Sequence, residues 1–239
     1  MPLDPTAALT AQFPHISYRP LADTGAWVSA AGFGGYRVEA DNPDHLAALR
    51  HALRGGINLI DTSANYSDGG SETAVGQIVA EGILPREQLI IVSKAGYLQG
   101  QNYALSQQMQ AEGRPFPDLV HYSTGLEHCL HPDFLADQLT RSLGRLGLAR
   151  LDVFLLHNPE YYLSHAKQMG IEAAEAPRRI RAAAGLGLCP FGARSGPRPH
   201  PLVRREFQHP AQPRRQLRTH LAGAAGGIGA VSGRGTEPV

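Results

Sequence analysis

Three short runs constrain this chain more than any other feature: INLID (Ile57 to Asp61), LIIVSK (Leu89 to Lys94) and LDVFLLH (Leu151 to His157). Each is apolar at consecutive positions and ends on a titratable residue. A strand apolar on both faces must be covered on both, which calls for a parallel sheet with helices packed over it. The intervening segments have helical patterns. Asn42 can cap a first helix, Pro43 fits its first turn, Leu46, Leu49 and Leu53 share a face, and Gly55-Gly56 stops it. SETAVGQIVAEG (Ser71 to Gly82) predicts a second, with Val75, Ile78 and Val79 inward. A third runs from His131-Pro132 through Leu135, Leu139, Leu143 and Leu146 to Gly147. Ahead of them, SAAGFGGYRV (Ser29 to Val38) reads as a small-residue strand ending in glycines. Two β-prone runs, residues 16–20 and 26–28, flank Asp23-Thr24-Gly25 and read as a hairpin. The fold class is therefore α/β: a hairpin, then four β/α units. Right-handed crossovers can roll such units into a barrel or an open doubly wound sheet, and the pattern alone does not choose.

Charge divides the chain. Residues 1–176 carry 11 Lys/Arg against 19 Asp/Glu, whereas 177–239 carry 11 Arg, no Lys and two Glu, so the formal net charge of +1 conceals −8 and +9. Three segments are expected: 1–29 with the hairpin, 30–176 as the α/β unit, and 177–239 as an Arg/Pro/Gly/Ala-rich tail. In that tail four residue types supply 38 of 63 positions, and apolar residues recur at neither helical nor strand period. It is expected to be disordered, or an out-of-frame reading of a GC-rich gene, whose codons give Ala, Arg, Gly and Pro in any frame. Cys129 and Cys189 are the only cysteines. Two thiols without CxxC or a His pair at ligand spacing argue against a disulfide scaffold and a structural zinc site, so no metal is expected and a cytoplasmic location is. No signal peptide and no apolar run of membrane-spanning length is read, so no membrane partner is expected. Residues 95–130 separate the third strand from the third helix and read as a long Gln-, Gly- and Tyr-rich functional loop.

The strand ends carry the chemistry. Asp61, Lys94 and His157 close successive strands, and Tyr66 follows Asp61 by five residues. In parallel α/β folds the carboxyl ends of the strands form the reactive face. A phenol has a pKa near ~10, and a neighbouring ammonium favours its phenolate. A carboxylate beside the Lys keeps it charged, and a His near the phenol can align a substrate or share its proton. Such a set suits protonation of a carbonyl oxygen while hydride arrives from a cofactor. Each residue alone has a structural reading, because a strand-end Asp often caps a loop and a loop Tyr often only packs. Four together at successive strand ends favour chemistry.

NLIDTSANYSDGGSE (Asn58 to Glu72) resembles the aldo-keto reductase signature around its catalytic Asp and Tyr. IVSKAG (Ile91 to Gly96) resembles the segment with the catalytic Lys, LDVFLLHNPE (Leu151 to Glu160) the strand with the catalytic His, and YRPLADTGAWVSAAGFGGYR (Tyr18 to Arg37) the opening hairpin and first strand. The resemblance covers about residues 16–170. It implies a (β/α)₈ TIM-type barrel with the hairpin closing its bottom, present as its first four β/α units. It implies NADP(H)-dependent interconversion of aldehydes or ketones with alcohols. Tyr66 would donate the proton, Lys94 would tune it, Asp61 would pair with Lys94, and His157 would orient the carbonyl. Gly34, Gly35, Tyr36 and Asp61 would border the nicotinamide. Later strands of the family supply carboxamide and phosphate contacts, and nothing in 177–239 resembles them. A chain of this kind is expected to be weakly active or inactive, and to self-associate through open barrel edges.

Competing readings weigh less. GFGGY is not G-x-G-x-x-G and no helix starts directly after it, which disfavours a dinucleotide fold of the open-sheet kind. Scattered Arg in the tail could neutralise nucleic-acid phosphates, but Phe207 is the one aromatic past residue 200 and no binding module is recognisable. A barrel-like fragment with a structural or partner role is the third reading. Quenching of protein fluorescence by NADPH discriminates among them.

Overall fold

The computed structural model of the chain describes residues 4–172 together with 174, 175 and 178. Apart from Arg178, the Arg-rich tail expected at 177–239 lies outside the described residues. After a 3₁₀ turn at Pro5–Ala8, the helical turn α1 (Leu9–Gln12) leads into β1 (Tyr18–Pro20) and β2 (Trp27–Ser29). These pair antiparallel, Tyr18 opposite Ser29, around a turn that Gly25 closes in the left-handed region. There follow β3 (Phe33–Gly34), α2 (Pro43–Arg54), β4 (Leu59–Asp61), α3 (Gly70–Ala80) and β5 (Ile90–Ala95). Next come β6 (Tyr97–Leu98), α4 (Gly100–Ala111), β7 (Val120–Ser123) and β8 (Leu126–His128). The described part ends with α5 (Pro132–Leu146), β9 (Val153–Leu156) and α6 (Glu160–Gln168).

Strands β3, β4, β5 and β9 form one parallel sheet in that order, each joined to the next by a helical crossover, as in part of a (β/α) barrel. The caps read from the sequence hold. The Asn42 side chain accepts from the backbone of Asp44 and His45 with Pro43 next to it, and Gly147 ends α5 in the left-handed region. The first strand is shorter than expected. Ser29 belongs to the hairpin, and only Phe33 and Gly34 pair with β4, because a glycine-rich strand offers few side chains to pack.

Strand periodicity assigns each residue to a face. Ile60 and Ile91 pack against Leu49, Leu53, Val75, Ile78 and Leu146 of the covering helices. On the opposite face, Leu59, Ile90, Val92 and Val153 pack with Ala26 and Val28 of the hairpin. The hairpin therefore closes the amino ends of the strands. Buried Asn58 pins it there: its side chain accepts from the Ser29 N–H at 2.8 Å and donates to the carbonyls of Trp27 and Gln88.

The segment 95–130 is not a structureless loop. It holds α4 and a small antiparallel sheet in the order β6-β8-β7. Leu98, Met109, Phe116, Val120 and Cys129 bury themselves against Phe134 and Leu135 of α5 and Tyr162 of α6. The helix escaped sequence reading because GQNYALSQQMQA has no apolar stripe: only Ser106 and Met109 are buried along it.

Candidate active site

The same periodicity that buries Leu59, Ile90, Val92 and Val153 aims the strand ends. Asp61 is two residues on from Leu59, Lys94 two on from Val92, and His157 four on from Val153, so all three share the face that the hairpin closes at the far end. Tyr66 enters from the loop after β4. That loop is tied to β5 by the Thr62 N–H to the Val92 carbonyl at 2.9 Å and the Ala64 N–H to the Lys94 carbonyl at 3.0 Å. Directly after Tyr66, Ser67 and Asp68 take left-handed φ of +48° and +52°, and directly after His157, Asn158 takes +49°. Non-glycine residues so placed carry backbone strain, a feature that clusters at functional sites.

Lys94 is the hub. Its Nζ donates to Asp61 Oδ2 at 2.8 Å, to the Thr62 carbonyl at 2.8 Å and to Tyr66 Oη at 3.3 Å, and stands 4.7 Å from the Tyr66 ring centroid. The Lys94 side chain is mostly buried and that of Asp61 is partly open. The His157 ring lies edge-to-face with Tyr66, centroids 5.8 Å apart. Burial foremost, then the Lys94 charge, pushes the His157 imidazole down to about 4, so it is neutral at pH 7. The four residues expected at the strand ends thus converge.

Gly34, Gly35, Tyr36 and Asp61 are adjacent at one rim of the site. Gly34 pairs in register with Asp61, and a Cβ on it would meet no atom within 4 Å, so its backbone presents a bare surface. Gly35 has no such room: a Cβ there would strike Ser71 Oγ and lie 3.0 Å from the Asp61 carbonyl oxygen. Tyr36 is 65% exposed and stands edge-to-face with Tyr66 at 5.3 Å. A bare glycine backbone beside an open aromatic ring, next to Lys94 and Tyr66, fits the flat ring of a nicotinamide. Among the described residues no group of three or more His, Cys, Asp or Glu could hold a metal ion, and no helix is long and apolar enough to cross a membrane.

Other groups touch this site that sequence reading did not single out. Ser63 Oγ lies 3.0 Å from His157 Nδ1. His128, buried on β8, places Nε2 2.6 Å from the His157 carbonyl oxygen. Burial lowers the His128 pKa as well. Tyr97 sits edge-to-face on His157 at 4.7 Å and on Tyr161 at 5.6 Å, and Tyr161 meets the exposed ring of Tyr122 at 4.4 Å. Ser63 lay in view inside DTSANY, between Asp61 and Tyr66. His128 and Tyr97 gave no signal, because they enter from the segment read as a loop.

A family model described as "Aldo/keto reductase family" matches residues 30–182. NADH-specific methylglyoxal reductase of Escherichia coli is 29% identical over 146 residues, covering 58% of this chain and 40% of that protein. Aldo-keto reductase AMT2 of Alternaria alternata is 28% identical over 163 residues, covering 64% of this chain and 44% of that protein. The chain thus spans less than half the length of these curated relatives. Among solved structures, the holo form of aldo-keto reductase AKR11C1 from Bacillus halodurans aligns with a TM-score of 0.47 at 22% identity, over 66% of this chain and 48% of that one.

Proposed function

Since the chain belongs to the aldo/keto reductase family, we propose that it is an oxidoreductase that interconverts an aldehyde or ketone with its alcohol, using NADP(H), with Tyr66 as the proton donor. One observation carries this reading: Lys94 Nζ reaches Asp61 Oδ2 at 2.8 Å and Tyr66 Oη at 3.3 Å at once. An ammonium beside a phenol stabilises the phenolate left when the phenol gives up its proton, and a carboxylate on the other side holds the ammonium charged. Gly34, Gly35, Tyr36 and Asp61 would hold the nicotinamide, which would supply a hydride when bound. The chain's own residues do the rest. Tyr66 Oη–H protonates the carbonyl oxygen as the carbon is reduced, and solvent returns a proton to the phenolate. Lys94 steadies that charge, Asp61 fixes Lys94, and His157 borders the oxygen and orients it. The names of relatives agree with carbonyl reduction, methylglyoxal reductase in Escherichia coli and 6-dehydroglucose reductase in Novosphingobium aromaticivorans.

The test is reduction of a reactive aldehyde such as 4-nitrobenzaldehyde by the purified 239-residue chain, with NADPH and with NADH, alongside Tyr66→Phe. Fluorescence quenching by each nucleotide reports binding separately. For the 239-residue chain the expected result is weak quenching by NADPH and slow turnover, and Tyr66→Phe is expected to abolish that turnover while leaving the quenching unchanged. Undiminished turnover in Tyr66→Phe removes the residue from the role, and quenching by NADH alone reassigns the cofactor.

A further inference from the structure

His128 is a buried polar residue that the proposed chemistry does not use. Among the described residues its ring makes one hydrogen bond, from Nε2 to the His157 carbonyl oxygen at 2.6 Å. A carbonyl only accepts, so Nε2 carries the proton. Turning the ring over would put a carbon at that distance, well inside the about 3.3–3.6 Å of a C–H···O contact, so the ring has one orientation. Burial holds it neutral, which leaves Nδ1 as a bare acceptor, itself buried and without a hydrogen-bond partner among the described residues. Packing alone does not ask for this. An apolar ring would meet Tyr97 and Tyr161, each 5.5 Å away, without burying an unmatched polar atom at a cost in free energy. What histidine adds is the donor.

That donor meets a group which the parallel sheet does not hold. The His157 N–H donates to the Ala95 carbonyl at 2.8 Å, where β9 runs out along β5. Its carbonyl lies past the end of the strand, and the next residue, Asn158, takes a strained φ of +49°. Such conformations persist only where the surroundings over-determine them. The insert supplies the missing restraint. Its returning strand is tied down by the Cys129 N–H to the Gly96 carbonyl at 2.8 Å, and Gly96 makes the room, since a Cβ there would stand 2.7 Å from both His128 Nε2 and the His157 carbonyl oxygen. We propose that His128 is a positioning residue: its Nε2–H fixes the His157 carbonyl, so the backbone of His157 is held from both sides and its imidazole is kept edge-to-face with Tyr66. Freed of that bond, His157 is held from the Ala95 side alone at a strained strand end, and its ring samples other directions. The proposal deepens the carbonyl chemistry above and rests on it for what His157 orients, but not for how His157 is held.

The experiment compares two variants of the full chain by ¹H–¹⁵N correlation of ¹⁵N-labelled histidine at pH 7.5. His128→Gln keeps an N–H donor near the Nε2 position and discards the ring, whereas His128→Phe keeps the ring and discards the donor. The His157 imidazole signals, assigned by their loss in His157→Gln, are expected to stay sharp and close to their wild-type positions in His128→Gln, and to shift and broaden in His128→Phe. The opposite order would show that the ring acts by packing, and equal displacement that the donor holds nothing; either overturns the proposal. The wild-type spectrum decides even if neither variant folds: His128, assigned through its proton contacts with Tyr161, must show a pyrrole-like Nε2, and a pyridine-like Nε2 overturns the proposal. In the aldehyde assay the slow turnover of the chain is expected to be lost in His128→Phe and kept in His128→Gln, with NADPH quenching alike in both. A chain that reduces no aldehyde while its spectra follow the expected order would sink the functional reading and leave the role of His128 standing.

Discussion

At the scale of single residues, the site is a set of groups whose protonation is decided by what surrounds them. His157 shows this with a measurable consequence. Its folded pKa of about 4 lies below the value near ~6.5 of an unfolded histidine. Above pH ~6.5 both states are neutral and the folded state keeps its full advantage. As the pH falls from about 6.5 toward about 4, the unfolded chain binds a proton that the folded chain refuses, and stability is lost. His128 is displaced in the same direction, by burial, and adds to the loss. The urea midpoint is therefore expected to fall between pH 7.5 and 5, before most carboxylates titrate. His157→Gln should shrink that fall and leave the part due to His128. A midpoint equally steep in pH for both proteins would show that His157 does not titrate as described.

Secondary-structure elements matter here through the insert between β5 and α5. It reaches both loops that carry site residues. Gln99 Oε1 accepts from Asn65, and Asp68 accepts the Gln101 N–H at 3.1 Å at the start of α4, which ties the Tyr66 loop to that helix. His128 reaches the His157 carbonyl from β8. Trimming residues 107–114 as though they were a free loop would cut into α4, where Met109 packs in the core. Gly96 is the tighter joint. Its φ is +155°, and a Cβ there would stand 2.7 Å from both His128 Nε2 and the His157 carbonyl oxygen, the latter backbone that has nowhere to move. Gly96→Ala is expected to destabilise the chain by about 1–3 kcal/mol through strain and overpacking. It should also pull the His128 and His157 imidazole signals away from their wild-type positions. Wild-type stability with unmoved signals would mean that the close approach is not maintained in solution.

Across the whole described molecule, one buried charge joins three elements. Glu72 of α3 is fully buried and accepts from Ser93 of β5 and from Arg145 of α5, the latter at 2.6 Å. The two partners are not equivalent, because the Arg145 side chain keeps 26% of its exposure while Glu72 keeps none. Removing Arg145 strands a buried carboxylate, whereas removing Glu72 leaves a guanidinium that can turn to water. Arg145→Ala is expected to cost about 3–5 kcal/mol in urea unfolding, and Glu72→Gln distinctly less. The reverse order would mean that the carboxylate finds another partner or reaches solvent when Arg145 is gone.

Much of this was legible in the sequence because it depends on local rules. Runs apolar at consecutive positions are buried on both faces whatever lies further along, so INLID, LIIVSK and LDVFLLH declared a parallel sheet, and the helices between them declared their caps at Asn42 and Gly147. Standing last in each run also put Asp61, Lys94 and His157 at the carboxyl ends of the strands. What the sequence could not carry was anything made by contact between distant segments. The helix α4 has no apolar stripe and exists because Met109 and the small sheet bury together, a free energy that appears only once α5 and α6 are in place. The 3.3 Å approach of Lys94 to Tyr66, the bond from Ser63 to His157 and the seat of His128 behind it join residues 28, 94 and 29 positions apart. Spacing in the chain named the groups, but the protonation state and direction of each depend on solvent exclusion and on neighbours that only the folded arrangement supplies.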